Sequence, residues 1–282
     1  MNFYIVIPAH NEEDHIGLCL ESLVQQTQLP KQIIVVNDNS TDNTATLIKH
    51  YTDKYAWITS LTINSSEAHI PGRKVIHAFY KGLELLDDDY DIICKYDADI
   101  IFPKNYIASV AQLFKADKTV GIAGGLPYIL NNDTWIYETV ASKSHVRGPI
   151  KSYRKACFKA IGGLKNSIGW DTADVLLAQF NGWNIQTDRT LHVKHLKPTG
   201  KTYSKNTKYL QGEGLYKMRF GLILAFISAS KSAFNKKSLA YLKNTTIGYL
   251  KAKFSDTTPM VTEEEGKFIR RLRWKNILKK IF

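Results

Sequence analysis

Two carboxylates one residue apart are the side chains in this sequence best suited to chemistry. Asp97 and Asp99 follow shortly after the apolar run at residues 92–94, which has the composition of a strand buried on both faces of a parallel sheet. Open α/β folds bind ligands at the carboxyl ends of such strands. Paired carboxylates there suit a hard divalent cation that shares its remaining positions with substrate phosphates. Because Asp is also common in turns, this segment alone leaves a solvated acidic turn open.

Two further segments carry polar groups at equivalent places. Asp38 lies two residues past the apolar run at residues 33–36, where it either binds a ligand or makes a local turn bond. Arg73 and Lys74 stand at the start of a predicted helix, where a pair of cations and free backbone amides could meet a diphosphate. Ordinary solvation of exposed cations is the alternative for these two residues.

Strands and helices must alternate to position these residues. Residues 3–7 predict a first strand, and apolar residues at helical spacing between 16 and 24 predict a helix that Asn11 would cap. The same alternation continues to Asp99 and predicts a mostly parallel sheet. Neither Gly-x-Gly-x-x-Gly after the first strand nor Gly-x-x-x-x-Gly-Lys occurs, which argues against a classical dinucleotide fold and a P-loop.

Composition places the chain among ordinary globular proteins. Its 282 residues are 44% hydrophobic, enough for one large α/β domain with an appendage or two modest domains. The three cysteines are widely spaced, which indicates neither a disulfide framework nor a zinc site and fits a reducing compartment. The first residues lack the basic lead and cleavage site of a signal peptide, so we expect a cytoplasmic protein.

Positive charge is concentrated in the last quarter of the chain. Residues 216–282 hold 15 Lys and Arg against four Asp and Glu, a net charge of +11, whereas the rest carries +1. A near-neutral body with a basic tail indicates an anionic partner, either a membrane leaflet or nucleic acid. The most apolar run, residues 220–229, is too short for a spanning helix, which needs about 20 apolar residues.

The last 15 residues resemble an interfacial amphipathic helix in their pattern. Apolar side chains recur there among Arg and Lys, at Ile269, Leu272, Ile277, Leu278 and Ile281. A solvated basic helix is the alternative. We favour peripheral attachment to the inner face of a membrane, because basic residues near an anionic leaflet contribute about 1 kcal/mol each.

Four motifs taken in order resemble one known family. Ile7-Pro-Ala-His-Asn-Glu-Glu13, Val35-Val-Asn-Asp-Asn-Ser-Thr-Asp42, Gly72-Arg-Lys74 and Asp97-Ala-Asp99 resemble the family 2 glycosyltransferases of the GT-A fold. The resemblance implies an α/β fold with a Rossmann-like mixed, mostly parallel sheet flanked by helices. It places a GT-A domain at residues 1–212, with a nucleotide-sugar half to about 100 and an acceptor half after it, and a basic helical region at 213–282.

The same resemblance implies which residues bind the donor. They are Pro8, His10, Glu12, Asp38, Arg73, Lys74 and Asp97. The first three would line the nucleoside pocket, the fourth would bond the base or ribose, and one of the two cations would approach the diphosphate. Asp97 with Asp99 would hold ribose and metal. His10 stands where Tyr is more usual, and Asn37 replaces a common Asp.

Relatives often place a histidine near the metal and diphosphate. Of His192 and His195, which are three residues apart, we expect only one to enter the site, and His195 is the better candidate. A neutral imidazole suits manganese better than magnesium.

The segment Gly169-Trp-Asp-Thr-Ala-Asp174 resembles the family's catalytic motif. Many relatives have Glu-Asp here and a glycine about eleven residues beyond the Asp; Gly182 lies eleven beyond Asp171, and Trp170 occupies the Glu position. The resemblance makes Asp171 the candidate catalytic base and Asp174, one helical turn away, the second choice. Both could instead be N-terminal helix residues that the helix dipole favours.

The second half of the chain would bind the acceptor. Trp135, Tyr137 and Glu138 form a polar and aromatic segment that either receives a sugar or belongs to the core. We expect an inverting transfer, dependent on Mn²⁺ or Mg²⁺, from a nucleotide-diphosphate sugar to a hydroxyl of a glycan or lipid-linked acceptor, in cell-surface polysaccharide synthesis. Nucleic acid is not expected as a partner.

Two other functions stay open. A sugar-phosphate nucleotidyltransferase would show a Gly-rich, Arg-containing loop after the first strand, and the segment from Pro8 to Glu12 is not such a loop. The other is a non-catalytic protein that binds nucleotide sugar or nucleic acid and uses its basic tail. Loss of activity in Asp171→Asn with nucleotide binding retained would argue against it, whereas strong, salt-sensitive DNA binding would support it.

Overall fold

The computed structural model describes residues 1–65, 72–198 and 208–279. Its strands are β1 (Phe3–Ala9), β2 (Gln32–Asp38), β3 (Ile58–Ile63), β4 (Ile92–Tyr96), β5 (Ile100–Ile101), β6 (Val120–Asn131), β7 (Thr134–Tyr137), β8 (Ile150–Arg154) and β9 (Asn184–His195). Its helices are α1 (Ile16–Val24), α2 (Thr44–Lys54), α3 (Arg73–Leu83), α4 (Tyr106–Ala116), α5 (Lys155–Ala160), α6 (Trp170–Phe180), α7 (Leu210–Lys217), α8 (Leu222–Asn235), α9 (Leu239–Phe254) and α10 (Glu263–Leu278).

The strands form one mixed sheet. Its order is β3-β2-β1-β4-β8-β6-β9-β5, and β7 pairs with β6 beside this path. Strands β1 to β4 pair in parallel, because each connection between them contains a helix that returns the chain to the same edge. Beyond β4 the pairs are antiparallel, except that β6 and β9 are parallel. The expected α/β fold with a mixed sheet and flanking helices is confirmed.

Helices cover both faces of the parallel strands, which explains why these strands have uninterrupted apolar sequences. On one face, Ile5, Val35 and Cys94 belong to a core cluster that also contains the apolar sides of α1 and α4. On the other face, Gly82 of α3 packs directly against Val6. A Cβ at this position would lie 2.5 Å from the Val6 side chain, so a larger residue does not fit without a shift. The sheet is therefore held rigidly, and its carboxyl edge can position polar side chains.

The chain forms two compact units. Of the described residues, the first unit contains 1–65, 74–164 and 181–198, and the second contains 72–73, 165–180 and 208–279. The GT-A domain predicted from the sequence ends at residue 212. In the structure α6, which lies before that position, belongs to the second unit. Its end packs on α10, where the rings of Phe180 and Phe268 have centroids 5.5 Å apart.

Close helix packing organises the second unit. Gly248 of α9 lies against the backbone of Tyr209, which directly precedes α7. A Cβ at Gly248 would collide with that backbone, so the close contact between α9 and the start of α7 requires glycine. Helix α10 begins with a capping box between Thr262 and Glu265, and its Ile269 is fully buried. Ile281 of the predicted amphipathic helix lies outside the described residues. Within the described ranges, no helix has both the length and the apolarity to cross a bilayer.

Candidate active site

Two loops at the carboxyl edge of the parallel strands are bonded to each other. The side chain of Asn11, after β1, accepts a hydrogen bond of 2.8 Å from the backbone N–H of Thr41, after β2. The backbone N–H of Glu12 donates to Oγ1 of Thr44 over 2.7 Å. Asn11 has a left-handed φ of 52° and α1 begins only at Ile16, so the prediction that Asn11 caps this helix is wrong. Its amide instead joins the two loops.

Pro8 and His10 lie at the carboxyl end of β1. Pro8 still belongs to the strand and pairs with Val36 of β2, so the strand continues one residue past the proline. His10 is exposed, and its Nδ1 lies 2.6 Å from the backbone oxygen of Asp38. Because a carbonyl oxygen can only accept, Nδ1 carries the proton of this bond. The imidazole is thereby fixed beside the end of β2.

Asp38 ends β2 and is only 5% exposed. Its carboxylate accepts two hydrogen bonds from Ser65, one of 3.0 Å from the backbone N–H and one of 2.7 Å from the hydroxyl. The carboxylate therefore fixes the segment that follows β3, and the alternative of a purely local turn bond does not describe it. Since a carboxylate can accept about four hydrogen bonds, Ser65 does not exhaust its capacity.

The two carboxylates of the Asp-x-Asp segment have different partners. Asp97 directly follows β4 and forms an ion pair with Lys95, a buried lysine two residues earlier and so on the same side of the strand. Asp99 is buried, and its Oδ2 lies 3.5 Å from Nε2 of His195 at the end of β9. The backbone N–H of Leu196 donates to the Asp99 carbonyl over 2.9 Å, which fastens β9 to this turn.

A buried chain of charged groups continues beyond His195. Its Nδ1 lies 2.9 Å from Oε2 of Glu138, and the same oxygen lies 3.4 Å from Nη1 of Arg147. Burial by itself lowers the pKa of His195, but the hydrogen bonds and charges of Asp99 and Glu138 outweigh it and raise that pKa to about 9. In the metal-free protein the imidazole is therefore positively charged at neutral pH.

Glu12 connects the loop after β1 to the segment after β9. Its Oε2 lies 2.7 Å from Nζ of Lys197 and 3.2 Å from Nδ1 of His15. The pKa of Glu12 lies above its usual value. Burial raises it most, Lys197 lowers it, and the negative charge of Asp99 raises it further.

The second histidine of the predicted pair lies on the other side of β9. Residues three apart on a strand point to opposite faces, which separates His192 from His195. His192 is exposed and stacks on Tyr128, with ring centroids 4.1 Å apart. Nearby on the neighbouring hairpin strand, the ring of Trp135 lies 5.2 Å from the ammonium of Lys194.

The remaining predicted site residues begin two helices. Arg73 is exposed and Lys74 partly buried in the first turn of α3. Asp171 is partly buried in the first turn of α6, in the second unit. Asp174, one turn further, is 1% exposed, and its Oδ1 accepts a 2.6 Å hydrogen bond from the backbone N–H of Val175. The structure thus brings together the predicted donor and metal residues from β1, β2, β4 and β9 within the first unit.

No group of three or more His, Cys, Asp or Glu side chains within the described ranges is arranged to hold a metal ion. The three predicted metal ligands do not form one group. Asp99 and His195 face each other, whereas Asp97 forms an ion pair with Lys95.

Sequence reasoning missed the cations that accompany the carboxylates. Lys95 left one local signal, a lysine inside an otherwise apolar strand two residues before Asp97. Lys197 left none, because its partner Glu12 is 185 residues away in the chain. Arg147 was missed although its partner Glu138 is only nine residues away, because no sequence pattern indicates that these two side chains meet.

Comparison with known proteins agrees with these features. The chain matches the sequence model of Glycosyl transferase family 2 over residues 4–167. It is 28% identical over 183 residues to the 4,4'-diaponeurosporenoate glycosyltransferase of Staphylococcus aureus (strain USA300), a match that covers 58% of this chain and 46% of that protein. It is also 28% identical over 116 residues to the Uncharacterized glycosyltransferase YibD of Escherichia coli (strain K12), covering 41% and 31%. Each match spans less than half of the relative's length.

Solved structures share the fold at low sequence identity. S. aureus TarS 1–349 in complex with UDP-GlcNAc has a TM-score of 0.59 and 19% identity, over 80% of this chain and 66% of that one. The mannosyltransferase PcManGT from Pyrobaculum calidifontis in complex with GDP-Man and Mn²⁺ has a TM-score of 0.57 and 13% identity, over 100% and 81%. Since the family model covers more than half of the chain, the protein belongs to glycosyl transferase family 2.

Proposed function

We propose that this protein transfers a sugar from a nucleotide-diphosphate sugar to a hydroxyl group of an acceptor. The observation that carries the proposal is the convergence of Asp38, Asp99 and His195 at the carboxyl edge of the sheet. This is where open α/β folds bind ligands. Structures of the same fold are described with UDP-GlcNAc and GDP-Man, which supports a donor of this class.

The donor's nucleoside would be held by the two interlocked loops. The imidazole of His10, fixed through Nδ1, offers a flat surface on which a base can stack. Asp38 would accept hydrogen bonds from the base or ribose, and Pro8 and Glu12 would line the same pocket. Asp97 would contact the ribose.

The diphosphate would meet the first turn of α3. Backbone N–H groups at a helix N-terminus lack intrahelical partners and favour negative charge. Arg73 and Lys74 lie in this first turn and add two positive charges. We propose that one of them contacts the diphosphate.

We propose that Asp99 and His195 hold a divalent cation. Oδ2 of Asp99 and Nε2 of His195 face each other at 3.5 Å, so both atoms are available to the same ion. The other nitrogen of His195 is bonded to Glu138, an arrangement that orients metal-binding imidazoles. Diphosphate oxygens and water would complete the coordination, and the imidazole favours Mn²⁺. A bound cation would neutralise charge that develops on the departing diphosphate.

For the chemical step we propose Asp171 as the general base of an inverting transfer. As the acceptor oxygen bonds to the anomeric carbon, its proton passes to the Asp171 carboxylate. The bond between that carbon and the diphosphate breaks, and the nucleoside diphosphate leaves with the bonding electrons. Asp171 begins α6, where the helix dipole favours a negative charge. Asp174 is the weaker candidate, because it is 1% exposed.

The acceptor is proposed to be a glycan or a lipid-linked sugar, in the synthesis of a surface polysaccharide. The net charge of +11 in residues 216–282 supports a place at an anionic membrane, where a lipid-linked acceptor would be available.

Donor binding is the first test. A ligand that binds only the native state raises its thermal stability. We expect one class among UDP-, GDP-, dTDP- and CMP-sugars to raise the melting temperature of the full chain with Mn²⁺ or Mg²⁺ present, and Asp99→Asn to abolish this rise. Asp53→Asn removes an exposed carboxylate on α2 and should behave as the unsubstituted protein. A folded protein that responds to none of these donors would overturn the proposal.

A further inference from the structure

The helical hairpin made of α8 and α9 exposes large apolar side chains that the second unit does not cover. Phe234 near the end of α8 and Leu239 at the start of α9 are each 85% exposed, and Phe254 at the end of α9 is 78% exposed. Exposed single apolar residues are ordinary, but a set of them on neighbouring helices marks an interaction surface.

The exposed side chains follow helical spacing. On α8, Ile223, Phe226 and Phe234 lie three and then eight residues apart and so share one side of the helix, with Ile223 67% and Phe226 50% exposed. On α9, Leu239 and Phe254 lie fifteen residues apart and also share a side. The two sides meet at the turn between the helices, where Phe234, Leu239 and Leu242 line an apolar groove of about 470 Å³.

The charge on this hairpin has one sign. From residue 222 to residue 254 the chain contains no Asp or Glu. It contains six lysines, all exposed: Lys231, Lys236, Lys237, Lys243, Lys251 and Lys253. Within the described part of the chain, no carboxylate forms an ion pair with any of them. Lys236 and Lys251 lie over the rings of Tyr241 and Tyr209, which leaves their charge in place. An apolar surface with lysines that no carboxylate neutralises is complementary to lipid headgroups above an acyl layer.

We propose that the α8–α9 hairpin is the surface by which this protein docks on an anionic phospholipid bilayer. Phe234 and Leu239 enter the boundary between headgroups and acyl chains, and the lysines contact lipid phosphates. The inference rests on the membrane placement proposed above and not on the donor site or the base. A second copy of the chain is a poor occupant, because it would bring lysines against lysines with no acidic residue from either hairpin.

This surface differs from the C-terminal amphipathic helix that the sequence suggested. Helix α10 has three acidic residues in its first turn, and Ile269 of its apolar side is fully buried. The hairpin contains no acidic residue, although it too buries apolar side chains, such as Leu224. Its most exposed apolar side chains are 78–85% exposed, against 38% for Trp274 and 49% for Leu278 of α10, and its charge has one sign, which makes it the better membrane contact of the two.

Vesicle flotation with the full chain tests the proposal. We expect binding to vesicles of phosphatidylcholine with phosphatidylglycerol, weak binding to phosphatidylcholine alone, and loss of binding at high salt. The double variant Phe234→Ser/Leu239→Ser should bind at least about tenfold more weakly. The matched control is Leu29→Ser/Leu85→Ser, which removes side chains 52% and 51% exposed in the first unit and should bind normally.

Three results would overturn the proposal. One is a protein that does not float with anionic vesicles at all. Another is a hairpin variant that floats like the unsubstituted chain, which would move the contact elsewhere while leaving membrane placement intact. The third is an oligomer in gel filtration that the hairpin substitutions dissociate, since this would make the surface an interface between copies. Donor-induced thermal shifts measured on the same variants keep these outcomes separate from failure of the donor site.

Discussion

The carboxyl edge of the sheet and the α8–α9 hairpin use charge in opposite ways. At the edge, carboxylates are held against cations that are distant in sequence or buried, as in Glu12 with Lys197 and Asp97 with Lys95. The hairpin carries six exposed lysines and no acidic residue. Charges with fixed partners keep their geometry and suit a small ligand of defined shape. Lysines that no carboxylate holds in place suit an extended anionic surface, because such a surface does not require the cations to be in fixed positions.

The largest effect is expected from the proposed base. Asp171→Asn keeps the size of the side chain but cannot accept the acceptor's proton, so turnover should fall by about 10²–10⁴-fold. Donor affinity measured by calorimetry should stay unchanged. This result would show that Asp171 serves the chemical step, whereas donor binding depends on the carboxyl edge of the sheet. Glu264→Gln, an exposed carboxyl in the first turn of α10, is the matched control. Normal turnover in Asp171→Asn would remove this residue from the mechanism.

The buried charges at the edge predict a stability that depends on pH. The pKa of His195 is about 9 in the folded protein against an ordinary value of 6.5. Its contribution is therefore complete below pH 6.5 and is lost as pH rises through about 9, with a total of about 3 kcal/mol. Urea unfolding in EDTA at pH 6 and pH 9.5 should show this loss. His195→Gln should flatten the dependence; an unchanged slope in that variant would contradict the assignment.

Glu138 is expected to influence the proposed metal site without contacting the ion itself. Glu138→Gln keeps a hydrogen-bond acceptor for His195 but removes the negative charge, and such outer partners change metal affinity by about 10–100-fold. Mn²⁺ titration should show this weakening, while Glu84→Gln, an exposed carboxyl, should have no effect. Circular dichroism would establish that the variant is folded. Unchanged Mn²⁺ affinity would mean that the charge of Glu138 does not affect metal binding.

The smallest effect is expected at a single lysine of the hairpin. Lys237→Gln, beside the apolar groove, should weaken binding to anionic vesicles about fivefold, because one basic residue near an anionic surface contributes about 1 kcal/mol. Lys267→Gln on α10 also removes an exposed positive charge and should have less effect. Equal losses in both variants would indicate a general electrostatic attraction rather than contact through the hairpin.

Local sequence was enough to predict the order of strands and helices in the first hundred residues and the places of Asp38, Asp97 and Asp99 at strand ends. Apolar runs, helical spacing and turn residues are local signals, so they can be read without knowing which segments meet. The family resemblance also followed from these local motifs. The helix cap at Asn11 was wrong because its amide forms a bond to the neighbouring loop, and that loop is close only in the folded chain.

The folded structure was needed to learn which charges meet and which apolar side chains stay exposed. Glu138 reaches His195 across 57 residues, a pairing that no spacing indicates. Ile269 and Phe234 are both apolar residues in basic helices, yet the first is fully buried and the second is 85% exposed. Burial depends on what packs against a residue, and packing is a property of the assembled elements rather than of the residue's own segment.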